Sequence, residues 1–62
     1  MKYLVCWANM GKEKKEIFDD FESAVYKYAE KCSLCNVVIL ANLEKEVIIK
    51  QQTSTSYGVA IN

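Results

Sequence analysis

The segment from Asp19 to Cys32 places the strongest constraint on how this chain folds. Its apolar residues recur at intervals of one, three or four positions, the spacing of one face of an α-helix. Asp19 has the chemistry of an N-cap, and Glu22 follows three positions later as in a capping box. The sequence therefore predicts one amphipathic helix at about residues 20–32, and capping accounts for its acidic start.

Four short segments with strand composition flank this helix. Residues 3–8 (YLVCWA) and 12–18 (KEKKEIF) precede it, joined by a turn at Gly11. Residues 36–41 (NVVILA) and 46–51 (EVIIKQ) follow it, joined by a turn at residues 42–45. Residues 12–18 have a second interpretation, as the first turns of a longer helix, which the apolar pattern leaves open.

The predicted fold class is therefore α+β, with the order ββαββ. We expect a four-stranded antiparallel sheet with the helix packed on one face, formed by residues 1–52. Residues 53–62 form a C-terminal tail, in which residues 57–61 (YGVAI) have the composition of a short extra strand.

Length and cysteine content limit the class of protein. A chain of 62 residues supports one domain with a thin core. Its three cysteines are an odd number and suggest no disulfide framework, so we expect a reducing, cytoplasmic location. The sequence contains no signal-peptide pattern and no apolar run long enough for a membrane span.

The sequence contains no recognisable set of catalytic residues. The chain has no histidine, and all eight basic residues are lysine. No nucleophile therefore has a histidine base, and the isolated Gly11 and Gly58 form no phosphate-binding loop. We expect a protein that is not an enzyme and needs no cofactor.

Both faces of the predicted sheet are apolar, although one helix covers only one of them. Along the first strand, Tyr3, Val5 and Trp7 point to one side, and the intervening Leu4, Cys6 and Ala8 point to the other. An uncovered apolar face of several hundred Å² is unusual in a monomer. We expect it to meet a second copy in a homodimer; a different protein and the folded-back tail are the alternatives.

The residues predicted to form this interface are apolar or aromatic positions of three strands. Tryptophan and tyrosine are favoured as interface anchors. The pattern does not indicate which face the helix covers. The predicted set is Tyr3, Val5, Trp7, Val37, Ile39, Val47 and Ile49.

Nucleic-acid binding is the alternative function. Lys12, Lys14 and Lys15 form a basic cluster, and the strand aromatics have faces on which bases stack. Glu13 and Glu16 interrupt the cluster, however, and the net charge of zero weakens the electrostatic attraction that dominates such binding.

A zinc site is the alternative interpretation of the cysteines. Cys32 and Cys35 form a CxxC pair, and Cys6 would supply a third ligand. The favoured interpretation is structural, because Cys32 completes the helix stripe and Cys6 lies in a strand, both as small apolar side chains.

Residues 16–24 (EIFDDFESA) follow an aromatic strand and a lysine–glutamate arm. In this respect residues 3–50 resemble small ββαββ accessory proteins of bacteriophages and mobile genetic elements. The shared motif is a junction between strand and helix, so the resemblance implies no functional residues. It implies a small protein that acts by binding in a bacterial cytoplasm, as an inhibitor or modulator of a host or defence protein.

Overall fold

The fold is that of a computed structural model, which describes residues 1–53. Four strands form one antiparallel sheet in the order β2-β1-β3-β4, and one helix packs on it. This confirms the predicted ββαββ architecture. The prediction of a strand at residues 57–61 lies outside the described residues. The elements are β1 (Tyr3–Asn9), β2 (Lys12–Phe18), α1 (Phe21–Cys32), β3 (Val37–Asn42) and β4 (Val47–Thr53).

The β1–β2 hairpin resolves the ambiguity of residues 12–18, which form a strand. Asn9 pairs with Lys12, so the connection contains only Met10 and Gly11. Both have positive φ, 53° and 82°, as in a type I′ turn. The backbone twist of such a turn matches that of the strands, so the hairpin continues without interruption to the pair Tyr3–Phe18.

The N-cap of α1 is Asp20, and the prediction of Asp19 was wrong. Asp20 has extended backbone angles, and its Oδ2 accepts a hydrogen bond of 2.9 Å from the backbone N–H of Ser23. Asp19 instead forms an ion pair with Lys2. Two adjacent aspartates offer the same capping chemistry, and the path of the chain from β2 decides which one begins the helix.

The core lies between α1 and the two central strands. Val5, Ala24, Val38 and Leu40 are fully buried. In the strand register, Val5 pairs with Leu40 and Trp7 pairs with Val38, so these side chains share the face beneath the helix. Partly buried apolar residues surround this centre, namely Tyr3, Trp7, Phe18, Val25, Tyr28, Cys32 and Cys35.

The β3–β4 hairpin contains an irregularity that changes which side chains lie on each face. Leu40 pairs with Lys50, whereas the adjacent Ala41 pairs with Ile48, so Ile49 is an extra residue in β4. Such a β-bulge shifts the alternation of every residue on one side of it. The turn that follows β3 is held by Asn42, whose Oδ1 accepts hydrogen bonds of 3.0 Å from the N–H groups of Glu44 and Lys45.

Polar contacts anchor the end of the helix to the sheet. The amide of Gln52 in β4 donates a hydrogen bond of 2.9 Å to the carbonyl of Cys32. The amide of Asn9 at the end of β1 donates to the carbonyl of Leu34, at 3.4 Å. These two bonds satisfy carbonyls near the helix C-terminus that lack partners within the helix.

Candidate interaction surfaces

The sheet has a second face, opposite α1, which we call the open face. No other helix or strand among residues 1–53 lies on it. The register arranges its side chains in three rows across the four strands. The rows are Ile17–Leu4–Ala41–Ile48, then Lys15–Cys6–Ile39–Gln51, then Glu13–Ala8–Val37–Thr53.

The chemistry of the open face is graded from one end to the other. The first row is apolar in all four strands, and its outer members Ile17 and Ile48 are each 56% exposed. In the other two rows the central strands remain apolar, and the edge strands contribute Lys15, Glu13 and two uncharged polar residues. The face therefore has an apolar end and centre, with polar groups limited to the edges of the other end.

The residues predicted for the interface do not lie on one surface. Tyr3, Val5 and Trp7 lie beneath the helix, and Val5 is fully buried. Val37 and Ile39 lie on the open face, because they pair with Ala8 and Cys6. The predicted grouping of these five residues is therefore corrected to two faces.

The two predicted residues of β4 are separated by the bulge. Val47 pairs with Asn42 on the helix side of the sheet, and Ile49 is the extra residue. Ile48, which strict alternation assigned to the other side, takes a place on the open face opposite Ala41. Sequence reasoning also missed Leu4 and Ile17. For Leu4 and Ile17 the available signal is the position of the aromatic residues. The helix-side residues of the first hairpin include Tyr3, Trp7 and Phe18, whereas the open face has smaller side chains.

A cluster of lysines surrounds Trp7 on the helix side of the sheet. The ammonium of Lys31 lies 4.8 Å from the centre of a Trp7 ring, and that of Lys27 lies 5.9 Å from it. Lys14 of β2 is the register partner of Trp7. The indole is partly buried. Two helical lysines, absent from the predicted basic cluster, are thus brought beside a strand lysine.

Ion pairing within this cluster is uneven. Lys27 lies 3.7 Å from a carboxylate oxygen of Glu16 and 4.0 Å from one of Glu30. Among the described residues, no carboxylate forms an ion pair with Lys12, Lys14 or Lys31. The alternating register also separates Lys15 from Lys12 and Lys14, because Lys15 pairs with Cys6 on the open face. The predicted nucleic-acid trio is therefore divided between the two faces.

The cysteines occupy two separate places. Cys6 lies on the open face, whereas Cys32 and Cys35 pack against the core beneath the helix. All three are free thiols. Burial, followed by the nearby Glu13 carboxylate, raises the pKa of Cys6, which keeps this thiol protonated at neutral pH. The fold does not bring the three predicted zinc ligands together, and no cluster of three metal-binding side chains occurs in residues 1–53.

The outer side of α1 has a shallow apolar groove of about 500 Å³. It is lined by Phe21, Glu22, Val25, Tyr26 and Ala29. Tyr26 is 76% exposed. The ring of Phe21 lies against Tyr3, with 5.4 Å between centroids. The apolar stripe of the helix is thus wider than the part that the sheet covers.

The α1 helix, the one helix in residues 1–53, is neither long nor apolar enough to cross a membrane. Comparison with known proteins found no matching family model, no matching curated protein and no matching solved structure.

Proposed function

We propose that this chain is a small protein-interaction module that forms a homodimer through the open face of its sheet. The observation that supports this most directly is the row Ile17–Leu4–Ala41–Ile48, which is apolar across all four strands. Apolar surface removed from water stabilises an interface by about 25 cal/mol per Å² before the costs of association. A second copy offers the same surface without requiring another gene product.

The distribution of charge on the open face favours one symmetry for this dimer. A two-fold axis parallel to the strands places β2 of one copy over β4 of the other. Lys15 then faces Gln51, Glu13 faces Thr53, and the apolar rows stack on each other. An axis perpendicular to the strands would instead place Lys15 against Lys15 of the second copy, with a cost from like-charge repulsion. The parallel axis is therefore the arrangement that we propose.

The size of the face sets the expected affinity. Strands about 4.8 Å apart and residues rising about 3.3 Å give a flat area of roughly 400 Å² for each copy. Closure of two copies would therefore bury roughly 800 Å² in total, which is the size of a weak, transient interface. We therefore expect a dissociation constant in the micromolar range rather than an obligate dimer.

The resemblance of residues 3–50 to small phage accessory proteins extends the proposal to a second, different protein target in a bacterial cytoplasm. The dimer would then present two copies of the helix side to that target. We propose inhibition or modulation of a host or defence protein as the biological role. Pull-down from a bacterial lysate, followed by reconstitution with the purified target, tests this role; failure to reconstitute binding would contradict it.

Light scattering or analytical ultracentrifugation over a dilution series from millimolar to sub-micromolar protein tests the dimer. We expect a dimer that dissociates with dilution and persists at high salt, because the contact is apolar. The double variant Ile17→Lys/Ile48→Lys should remain monomeric throughout the series. Leu34→Lys is the matched control, since Leu34 is 60% exposed but lies outside the sheet. A wild-type chain that stays monomeric at millimolar concentration would overturn the proposal.

A further inference from the structure

The helix side of the sheet has features that the dimer does not use. Lys31, whose ammonium lies over the partly buried Trp7, and Lys14, the register partner of Trp7, have no carboxylate partner among the described residues, whereas Lys27 has two. Long lysine stems often cover apolar surface while their ends remain in water. That role explains the contact with the indole, but it leaves the positive charge of Lys14 and Lys31 unbalanced.

The β2 strand lies at the edge of the sheet, beside this uncompensated charge. Strand order places β2 outside β1, so one side of its backbone has no neighbouring strand within residues 1–53. Free strand edges pair with extended segments of other proteins through main-chain hydrogen bonds. Lysines on such an edge disfavour neutral strands and a second copy of this edge. They favour a strand of opposite charge, which gives selectivity.

Alternation along β2 defines which charges an added strand would meet on the helix side. Lys12 and Lys14 point to that side, as does Glu16, which forms an ion pair of 3.7 Å with Lys27. Lys31 of the helix lies above the same region, over Trp7. An extended segment with acidic side chains at alternate positions matches this spacing, because side chains two residues apart lie on the same face of a strand.

We infer that the β2 edge, with Lys12, Lys14 and Lys31, is a docking surface for an extended acidic segment of a partner protein. Single-stranded nucleic acid is the competing anionic partner, and the geometry disfavours it. Stacking on a base requires a free aromatic face, but Trp7 is partly buried and has lysines against its ring. The inference rests on the wider proposal that the chain binds a protein, but it does not depend on the dimer.

The single tryptophan provides the test, because Trp7 lies within the proposed surface. Trp7 fluorescence is titrated with a short peptide of alternating glutamate and threonine, with the matching glutamine–threonine peptide, and with oligodeoxythymidylate. We expect only the glutamate peptide to change the emission, with an affinity that falls as salt is raised. Amide hydrogen exchange should slow in β2 on peptide binding and remain unchanged in β4.

Two lysine variants locate the binding site. Lys14→Gln/Lys31→Gln should weaken binding of the glutamate peptide at least about tenfold, which corresponds to ~1.4 kcal/mol. Lys50→Gln is the matched control, because Lys50 lies on the helix side of the opposite edge strand. Tighter binding of oligodeoxythymidylate, equal binding of the glutamine peptide, or no binding of any probe would overturn the inference. The oligomeric mass of Lys14→Gln/Lys31→Gln, measured in parallel, should equal that of the wild type. A loss of peptide binding would then not result from a change in dimerisation.

Discussion

The two faces of this sheet are built from similar apolar residues, yet only one of them forms the core. In β3, Leu40 is fully buried against the helix, whereas the adjacent Ile39 points to the opposite side and retains partial exposure. The two residues have the same number of heavy atoms and share a strand, so their difference arises from what covers them. The covered face therefore determines the stability of the monomer, whereas the open face is where we propose that two copies associate.

Leu40→Ala should have the largest effect. Removal of a fully buried leucine side chain leaves a cavity, and we expect a loss of about 3 kcal/mol in the free energy of unfolding. Urea denaturation followed by Trp7 fluorescence measures this loss. Because so small a domain has little stability in reserve, Leu40→Val is a milder companion variant. A loss below about 1 kcal/mol for Leu40→Ala would contradict the assignment of the core.

Ile39→Ala should have a smaller effect on the monomer and a distinct effect on association. At dilutions where the chain is monomeric, we expect a loss of under about 1 kcal/mol, because the side chain is already partly in contact with water. At concentrations where the wild type is dimeric, the loss should increase, since a dimer is stabilised by mass action. Equal losses at both concentrations would argue against Ile39 as an interface residue.

Met10→Asn tests fold stability away from both faces. Met10 is 88% exposed and has a φ of 53°, which asparagine tolerates better than methionine does. The change creates the Asn-Gly pair preferred in type I′ turns. We expect the free energy of unfolding, measured by thermal denaturation, to increase by about 0.5 kcal/mol. The dissociation constant of the dimer should not change. A destabilised variant would contradict the turn geometry.

Acid titration should give the smallest effect. The hydrogen bond from the Ser23 N–H lowers the pKa of Asp20 below its usual value of 3.8, and the contact with Lys2 lowers that of Asp19. Each carboxylate therefore stabilises the fold above its unfolded pKa, and this contribution is lost as pH falls through the lower folded value. Unfolding measured between pH 5 and about pH 2 should show a decline that is shallower in Asp20→Asn.

The control for this titration is Asp20→Ala. Asparagine retains an oxygen that accepts the N-cap hydrogen bond but does not titrate, whereas alanine lacks the acceptor. We therefore expect Asp20→Ala to be destabilised at neutral pH, unlike Asp20→Asn. If the wild type and Asp20→Asn lost the same stability as the pH falls, the carboxylate of Asp20 would not contribute to the pH dependence.

The fold could be predicted from the sequence because each helix and strand has its own local signal. The helix stripe, the Gly11 turn and the compact apolar strands agree with one another, and their order permits few topologies. The interface residues were harder to predict, because the alternation of side chains along a strand assigns residues to faces only while the strand register is continuous. The extra residue Ile49 reverses the sides of Val47 and Ile48, and no propensity in the sequence marks that bulge.

The lysines near Trp7 could not be predicted from the sequence, for a different reason. Lys14 is placed next to Trp7 by the strand register, and only the packing of α1 over β1 brings Lys31 over the same indole. A linear pattern instead drew attention to adjacent lysines, which a strand sends to opposite faces. Charges close in sequence and charges close in space are thus different sets in this fold.

The strand order also has a kinetic consequence. Each hairpin joins strands that are neighbours in the chain, so β1–β2 and β3–β4 pair across short loops at low entropic cost. The central β1–β3 ladder joins the two hairpins across the whole of β2 and α1, and the core pair Val5–Leu40 belongs to it. The rate of folding should therefore be governed by the docking of two local units, and mutations in that central ladder should slow folding more than those at either turn.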